Sequence, residues 1–180
     1  MRYILVVFLI LVILVLAGLA VIYSGTFNVA ASKPESGLTA WLLNEIMENS
    51  VEHHAKNIVT PPLHDPAKIQ NGFAPFDRFC AGCHGAPGRE RGGFSHGLNP
   101  EPPSLVTVVD DWKPAEIFWI TKNGIKMTGM PAFGHNHSDD ELWAIVAFLR
   151  TLPNYTPELY LAKQGSLRAA QPADTTRRPR

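Results

Sequence analysis

The sequence predicts an all-α protein: one N-terminal transmembrane helix followed by a small domain of about three to four helices. Three observations carry this. Ile4 to Ile22 runs without a polar residue. Helix-start signals recur at Asp65-Pro66, Lys113-Pro114 and Ser138-Asp139-Asp140-Glu141. The two cysteines fall within Cys80-Ala81-Gly82-Cys83-His84, and no βαβ pattern surrounds them.

The first 23 residues read as a membrane anchor. At about 1.5 Å per helical residue the apolar run comes close to the ~30 Å of a bilayer core. The competing reading is a cleaved signal peptide, with small-residue sites at Gly18-Leu19-Ala20 and Val29-Ala30-Ala31. A signal h-region is usually about 7–15 residues, shorter than this run, which favours a retained anchor. Residues 24–64 form a tether and an amphipathic helical segment. The tether, Ser24 to Gly37, is small, polar and broken by Pro and Gly. Leu38 to Asn49 has helical periodicity, with Trp41 either packed on the domain or placed near lipid headgroups. Asn49-Ser50 reads as the cap of a second short helix, Val51 to Ile58, which Thr60-Pro61-Pro62 ends.

The globular domain spans 65–162. Asp65 caps a helix with Pro66 at its first position, running toward Cys80, and Pro75 predicts a kink or restart on the way. Gly85 to Ser104 is a Gly/Pro-rich loop of a length that usually wraps something functional. Lys113-Pro114-Ala115-Glu116 opens the next helix and Asn123-Gly124 closes it. Ser138 and Glu141 form a capping box before the apolar run Leu142 to Leu149, which Pro153 stops. Residues 163–180 read as a disordered basic tail.

The chain carries 16 basic and 16 acidic side chains, a balance that gives no sign of a nucleic-acid partner. The cysteines are informative. Residues i and i+3 share one face of a helical turn, so Cys80 and Cys83 can both reach one porphyrin edge and form thioethers to its vinyl groups. His84 follows directly and can bind the iron from the proximal side. A zinc site would need further ligands at similar spacing, and both cysteines of the chain are already in the motif. A disulfide or a thioredoxin-like redox pair is the other alternative; the redox pair would sit in a βαβ context. Met130, in Thr128-Gly129-Met130-Pro131, offers a soft thioether as second axial ligand. Met127 reads as core filler or as a neighbour of that ligand. His53, His54, His64, His96, His135 and His137 are rival candidates.

With these residues in place the chain resembles a class I c-type cytochrome, specifically a small bacterial membrane-anchored monohaem one, over roughly Asp65 to Leu152. In that family a glycine and an aromatic precede the first cysteine by eight and four positions; Gly72 and Phe76 match. Ile145 and Phe148 match the terminal-helix residues that pack on the glycine. Pro102-Pro103-Ser104-Leu105 matches the segment whose proline carbonyl fixes the proximal histidine, giving Pro103 and Leu105 a cofactor-binding role. The resemblance implies a cytochrome c-like domain around one covalently attached haem c, with Cys80, Cys83, His84, Pro103, Leu105 and Met130 binding it and His84 and Met130 on the iron. It implies thioether attachment outside the cytoplasm, hence a single-pass bacterial inner-membrane protein with the haem domain in the periplasm. It also implies an electron carrier rather than an enzyme, passing single electrons between respiratory-chain redox partners, with no small-molecule substrate of its own. Two alternatives remain: a haem-bearing subunit of a membrane dehydrogenase or oxidase complex, and a haem-based ligand sensor.

Overall fold

In the computed structural model, which describes residues 1–33 and 36–170, the chain divides into Met1–Pro34 and Glu35–Arg180. The first unit is helix α1 (Arg2–Ser24), 23 residues long, with no buried residue. At about 1.5 Å per residue it extends ~35 Å, enough to cross a bilayer core. Gly25, at φ 67°, ends it in the left-handed conformation that glycine adopts without penalty.

In the second unit, α2 (Gly37–Ala55) starts at Ser36, whose hydroxyl accepts from the Thr39 N–H at 3.2 Å. It is one continuous helix, not the two expected. Asn49 does not cap a new start; its side chain donates to the Glu45 carbonyl one turn back. Val51 and Ala55, both buried, carry the helix onward against α6 (Pro114–Asn123). Tertiary burial overrides a local cap signal here. His54 contributes by lying 5.3 Å from the Trp119 ring.

Helix α3 (Pro66–Pro75) opens on Asp65, whose Oδ1 accepts from the Ala67 N–H at 2.9 Å. Pro75 behaves as its chemistry requires. It has no N–H to give to the preceding turn, and the chain responds with five residues in a wider π-helical turn, Phe76–Cys80, before α4 (Ala81–His84). The Ala81 N–H reaches back to the Phe76 carbonyl across that turn. The expected restart is therefore a change of winding that leaves Cys80 on a continuing helical path.

α7 (Asp139–Leu149) buries all of Leu142 to Leu149. Its capping box is formed as expected: the Ser138 N–H donates to Glu141 Oε2 at 2.8 Å and the Glu141 N–H to the Ser138 hydroxyl at 3.3 Å. Donation to Glu141 Oε2 from the Ser138 N–H, and then from the Ser138 hydroxyl at 2.9 Å, holds the Glu141 carboxyl below its ordinary pKa. α7 crosses α3 at Gly72, where a Cβ would run into the Ala144 carbonyl and lie 2.8 Å from Phe148 Cβ. On the other side α6 stacks Phe118 on Trp143, ring centroids 4.2 Å apart. The short α5 (Leu105–Val108) links the long loop to this core. Among the described residues there is no β-sheet, only an isolated bridge between Ala86 and Arg89.

The main departure from expectation is α8 (Pro157–Ala170). Residues 163–170 were expected to belong to a disordered tail; they are helical, and 171–180 lie outside the described residues. Tyr160 is fully buried between Phe73, Phe76 and Tyr155, and Gln164 is buried beside it. The Tyr160 hydroxyl and the Gln164 amide both donate to Asp77 Oδ1, at 2.8 and 2.7 Å. Burial first, then that carboxylate, pushes the Tyr160 hydroxyl well above the usual phenol range.

Two substitutions test this packing. Gly72→Ala should destabilise the domain by at least the ~1–3 kcal/mol usual for overpacking, because backbone rather than a flexible side chain blocks the new methyl. Tyr160→Phe keeps the ring and should cost about 1 kcal/mol for the lost hydrogen bond. Denaturant midpoints of the two variants should fall in that order; an unchanged midpoint for Gly72→Ala would contradict the close approach.

Candidate haem-attachment site

The π-helical turn delivers Cys80 to the base of α4, and Cys83 follows one turn later. Cys80 is buried and Cys83 half-buried, and neither is in a disulfide. Burial, and secondarily the neighbouring Cys83, pushes the Cys80 thiol up to about 12. Both sulfurs are thus held on one side of a single turn as unpaired thiols, the arrangement that two thioether bonds to one porphyrin require. Among the described residues no cluster of three or more His, Cys, Asp or Glu side chains is placed to hold a bare metal ion.

His84 ends α4, and Gly85 at φ 72° turns the chain away beneath it. The His84 Nδ1 lies 2.8 Å from the Pro103 carbonyl oxygen. A carbonyl can only accept, so Nδ1 carries the proton and Nε2 keeps the lone pair. Burial lowers the imidazole pKa, the Pro103 bond opposes that, and the Arg91 charge adds to the lowering. The net effect favours the neutral ring, the form that ligates iron. The residues therefore fit a covalently attached haem c: two thiols on one edge and an oriented, neutral imidazole beside them.

The long loop is what brings Pro103 to His84. Residues 85–104 contain one short 3₁₀ turn, Gly93–Gly97, and otherwise rely on side chains and single backbone bonds. The Gly92 N–H donates to the Gly82 carbonyl at 2.8 Å, closing the loop onto the Cys-containing turn. Arg91 donates to the Pro102 carbonyl at 2.7 Å and pairs with Glu101 at 2.6 Å, one residue from the carbonyl that matters. Arg89 pairs with Asp77 at 2.7 Å. His84, Arg91, Pro102, Pro103 and Val106 line a recess of about 590 Å³.

The other predicted residues fall as follows. Leu105 begins α5, half-buried against the domain core. Met130 is half-buried and does not line the recess around His84. Its loop is tightly braced: the Met130 N–H donates to Thr128 Oγ1 at 3.1 Å, that hydroxyl donates to the Ile125 carbonyl at 2.8 Å, and the Ile125 N–H reaches the Met130 carbonyl at 3.3 Å. Gly129 abuts Leu98, where a Cβ would come within 2.7 Å of Leu98 Cδ1, so the Met130 loop meets the far end of the His84 loop. Met127 is not core filler: it is 89% exposed, at φ 61°. Of the rival histidines, His96 faces Glu101 at 3.3 Å, and His137 packs against Phe79 and Phe133. His53, His54, His64 and His135 are exposed.

Sequence reasoning missed Asp77, Arg89 and Arg91. Arg91 carries no local signal, because its role depends on where the loop returns. Asp77 had one: it sits one turn before Cys80, on the helix that must present the cysteines.

Replacing Cys80 or Cys83 by Ala should lower covalent haem attachment, and replacing both should abolish it. The check is a haem-staining band after denaturing electrophoresis of periplasmically matured protein, expected for the unaltered chain and absent from the double variant.

Comparison with known families agrees with this geometry. Residues 67–149, somewhat under half of the chain, match the family described as cytochrome C oxidase, cbb3-type, subunit III. A comparison with curated proteins gave no match. The matched stretch begins in α3, contains Cys80, Cys83 and His84, and ends with α7. This protein therefore carries a c-type cytochrome domain, similar over residues 67–149 to the cbb3-type oxidase subunit III family.

Proposed function

We propose that this chain is the haem-bearing, electron-relaying subunit of a membrane oxidase complex of the cbb3 kind. Its coarser character is plain: an electron-transfer haem c domain anchored to a membrane, not a catalyst, with the haem region on the periplasmic side. The observation that carries the finer reading is the family match over 67–149. It favours the subunit over the free carrier that the sequence alone put first.

Bound haem supplies a one-electron ferrous–ferric couple at its iron. Cys80 and Cys83 would hold the group through their sulfurs, and His84 Nε2 would ligate the iron. Pro103 keeps the imidazole ring in one orientation, and Arg91 holds the loop that presents Pro103. Met130 is our assignment for a second ligand that the iron would take, and Leu105 would pack against the group. Three things support Met130: its soft neutral thioether, the bracing of its loop by Thr128 and Ile125, and the other partners found for His96 and His137. A site closed on both sides favours relay over turnover, because little has to rearrange when the charge changes.

Purification of the full chain in mild detergent tests the subunit reading. Oxidase subunits should accompany it in fixed ratio; recovery of a lone, redox-active cytochrome would return the reading to a free carrier. Met130→Ala tests the ligand. The oxidised protein should lose the weak long-wavelength absorption of a sulfur-ligated haem, the reduced protein should bind carbon monoxide, and the reduction potential should fall. Met127→Leu should change none of these, since Met127 lies in solvent. The reverse pattern would move the ligand to Met127.

A further inference from the structure

Helix α2 carries an apolar face that the domain does not use. Its buried residues, Val51 and Ala55, are confined to its last two turns. Earlier, Leu38 is 73% exposed, Trp41 59%, Leu42 49% and Ile46 57%. At 3.6 residues per turn, Leu38, Leu42 and Ile46 follow one side of the helix, and Val51 and Ala55 lie on roughly the opposite side. The helix thus sits on α6 by one face and presents large apolar side chains on the other.

We propose that this outward face lies on the lipid surface of the membrane that α1 crosses, so that α2 is a second, interfacial attachment of the cytochrome domain. Chain continuity selects lipid as the occupant. Only residues 25–36 separate the end of α1 from the start of α2, a reach of at most about 40 Å at ~3.3 Å per residue. A short tether of this kind keeps the effective concentration of the bilayer high at α2 whatever else is present. The connecting stretch is itself partly apolar, with Phe27 and Val29 exposed. Trp41 is the side chain that favours the headgroup boundary. Charge attraction is not the cause: from Ser36 to Ala55 there is no Lys or Arg, while Glu45, Glu48 and Glu52 are acidic. The contact is an apolar insertion, indifferent to salt and not strengthened by anionic lipid. It stands apart from the oxidase-subunit reading and requires only that α1 is retained, which the intact mass of the protein establishes separately.

The test uses the full-length, haem-loaded chain in phosphatidylcholine vesicles. Thioether attachment consumes Cys80 and Cys83, so one introduced cysteine is the sole free thiol for a nitroxide label. Labels are placed in Leu42→Cys, Ile46→Cys and, across the helix, Asn44→Cys, and an unchanged haem spectrum shows that each variant is folded. The labels at 42 and 46 should be several-fold less accessible to an aqueous nickel chelate than the label at 44, and more accessible to oxygen. That contrast should persist at high salt and should not grow when phosphatidylglycerol is added. Equal chelate access at all three positions would overturn the proposal. So would shielding of 42 and 46 that appears only when co-purified subunits are restored, or only with self-association; either result would assign the face to a protein partner.

Discussion

The close approach of α3 and α7 at Gly72 is the constraint on which the rest of the domain depends. Nothing larger than hydrogen fits between the two backbones there. Closing that gap places Phe73 and Phe76 against Phe148 and seals the apolar core on the side from which the cysteine turn emerges. Everything downstream inherits this geometry. The π-helical turn after Pro75 starts at Phe76, four residues beyond Gly72, and Cys80 is the last residue of that turn. A change in helix winding at this point rotates Cys80 and Cys83 together, so the pair keeps its common face while its direction is set by the core.

The imidazole is oriented by a different kind of force. A loop of irregular backbone has no ladder of its own, and its polar groups must find partners one by one. Here they do: Gly92 bonds to Gly82, Arg91 to Pro102 and Glu101, and the buried Ser95 hydroxyl to Gly92. These contacts fix the stretch that leads into Pro103. The carbonyl that accepts the hydrogen bond from His84 Nδ1–H belongs to the backbone, so no single side-chain substitution deletes it. What a substitution can change is how firmly the loop holds it, and Arg91, bonded to Pro102 and Glu101, is one residue through which it would do so. The same guanidinium adds positive charge near the ring and so favours its neutral form.

Local signals were legible where the physics is local. Asp65, Pro66, Ser138, Glu141, Gly124 and Pro75 each acted within one helical turn, and each was readable from its neighbours. The C-x-x-C-H attachment turn was readable for the same reason. Long-range consequences were not. The cap signal at Asn49-Ser50 was outweighed by burial of Val51 and Ala55 on a helix some sixty positions away in sequence. Met127 looked apolar enough for the core, but the turn that braces Met130 leaves it in solvent. Helix α8 hid because its buried stripe is sparse and partly polar: Tyr160, Gln164 and Leu167 recur at helical spacing, but a glutamine reads as a solvated residue until the carboxylate it serves is known. The Thr156-Pro157-Glu158 start was the available clue, and Thr156 does accept the Leu159 N–H at 3.2 Å.

That carboxylate explains why a helix beyond the family match still belongs to the cytochrome domain. Asp77 Oδ1 accepts from Arg89 in the His84 loop and from Tyr160 and Gln164 in α8. A half-buried carboxylate with donors converging on one oxygen is well compensated, whereas loss of any one donor leaves charge less satisfied in a poorly hydrated place. The residue carrying it lies between Phe76, which fills the core, and Cys80, which must hold the haem. Core packing, loop position and the C-terminal helix therefore meet within one turn of the attachment site. The π-helical winding, in which backbone hydrogen bonding departs from the regular α pattern, is reinforced from outside by this side-chain network.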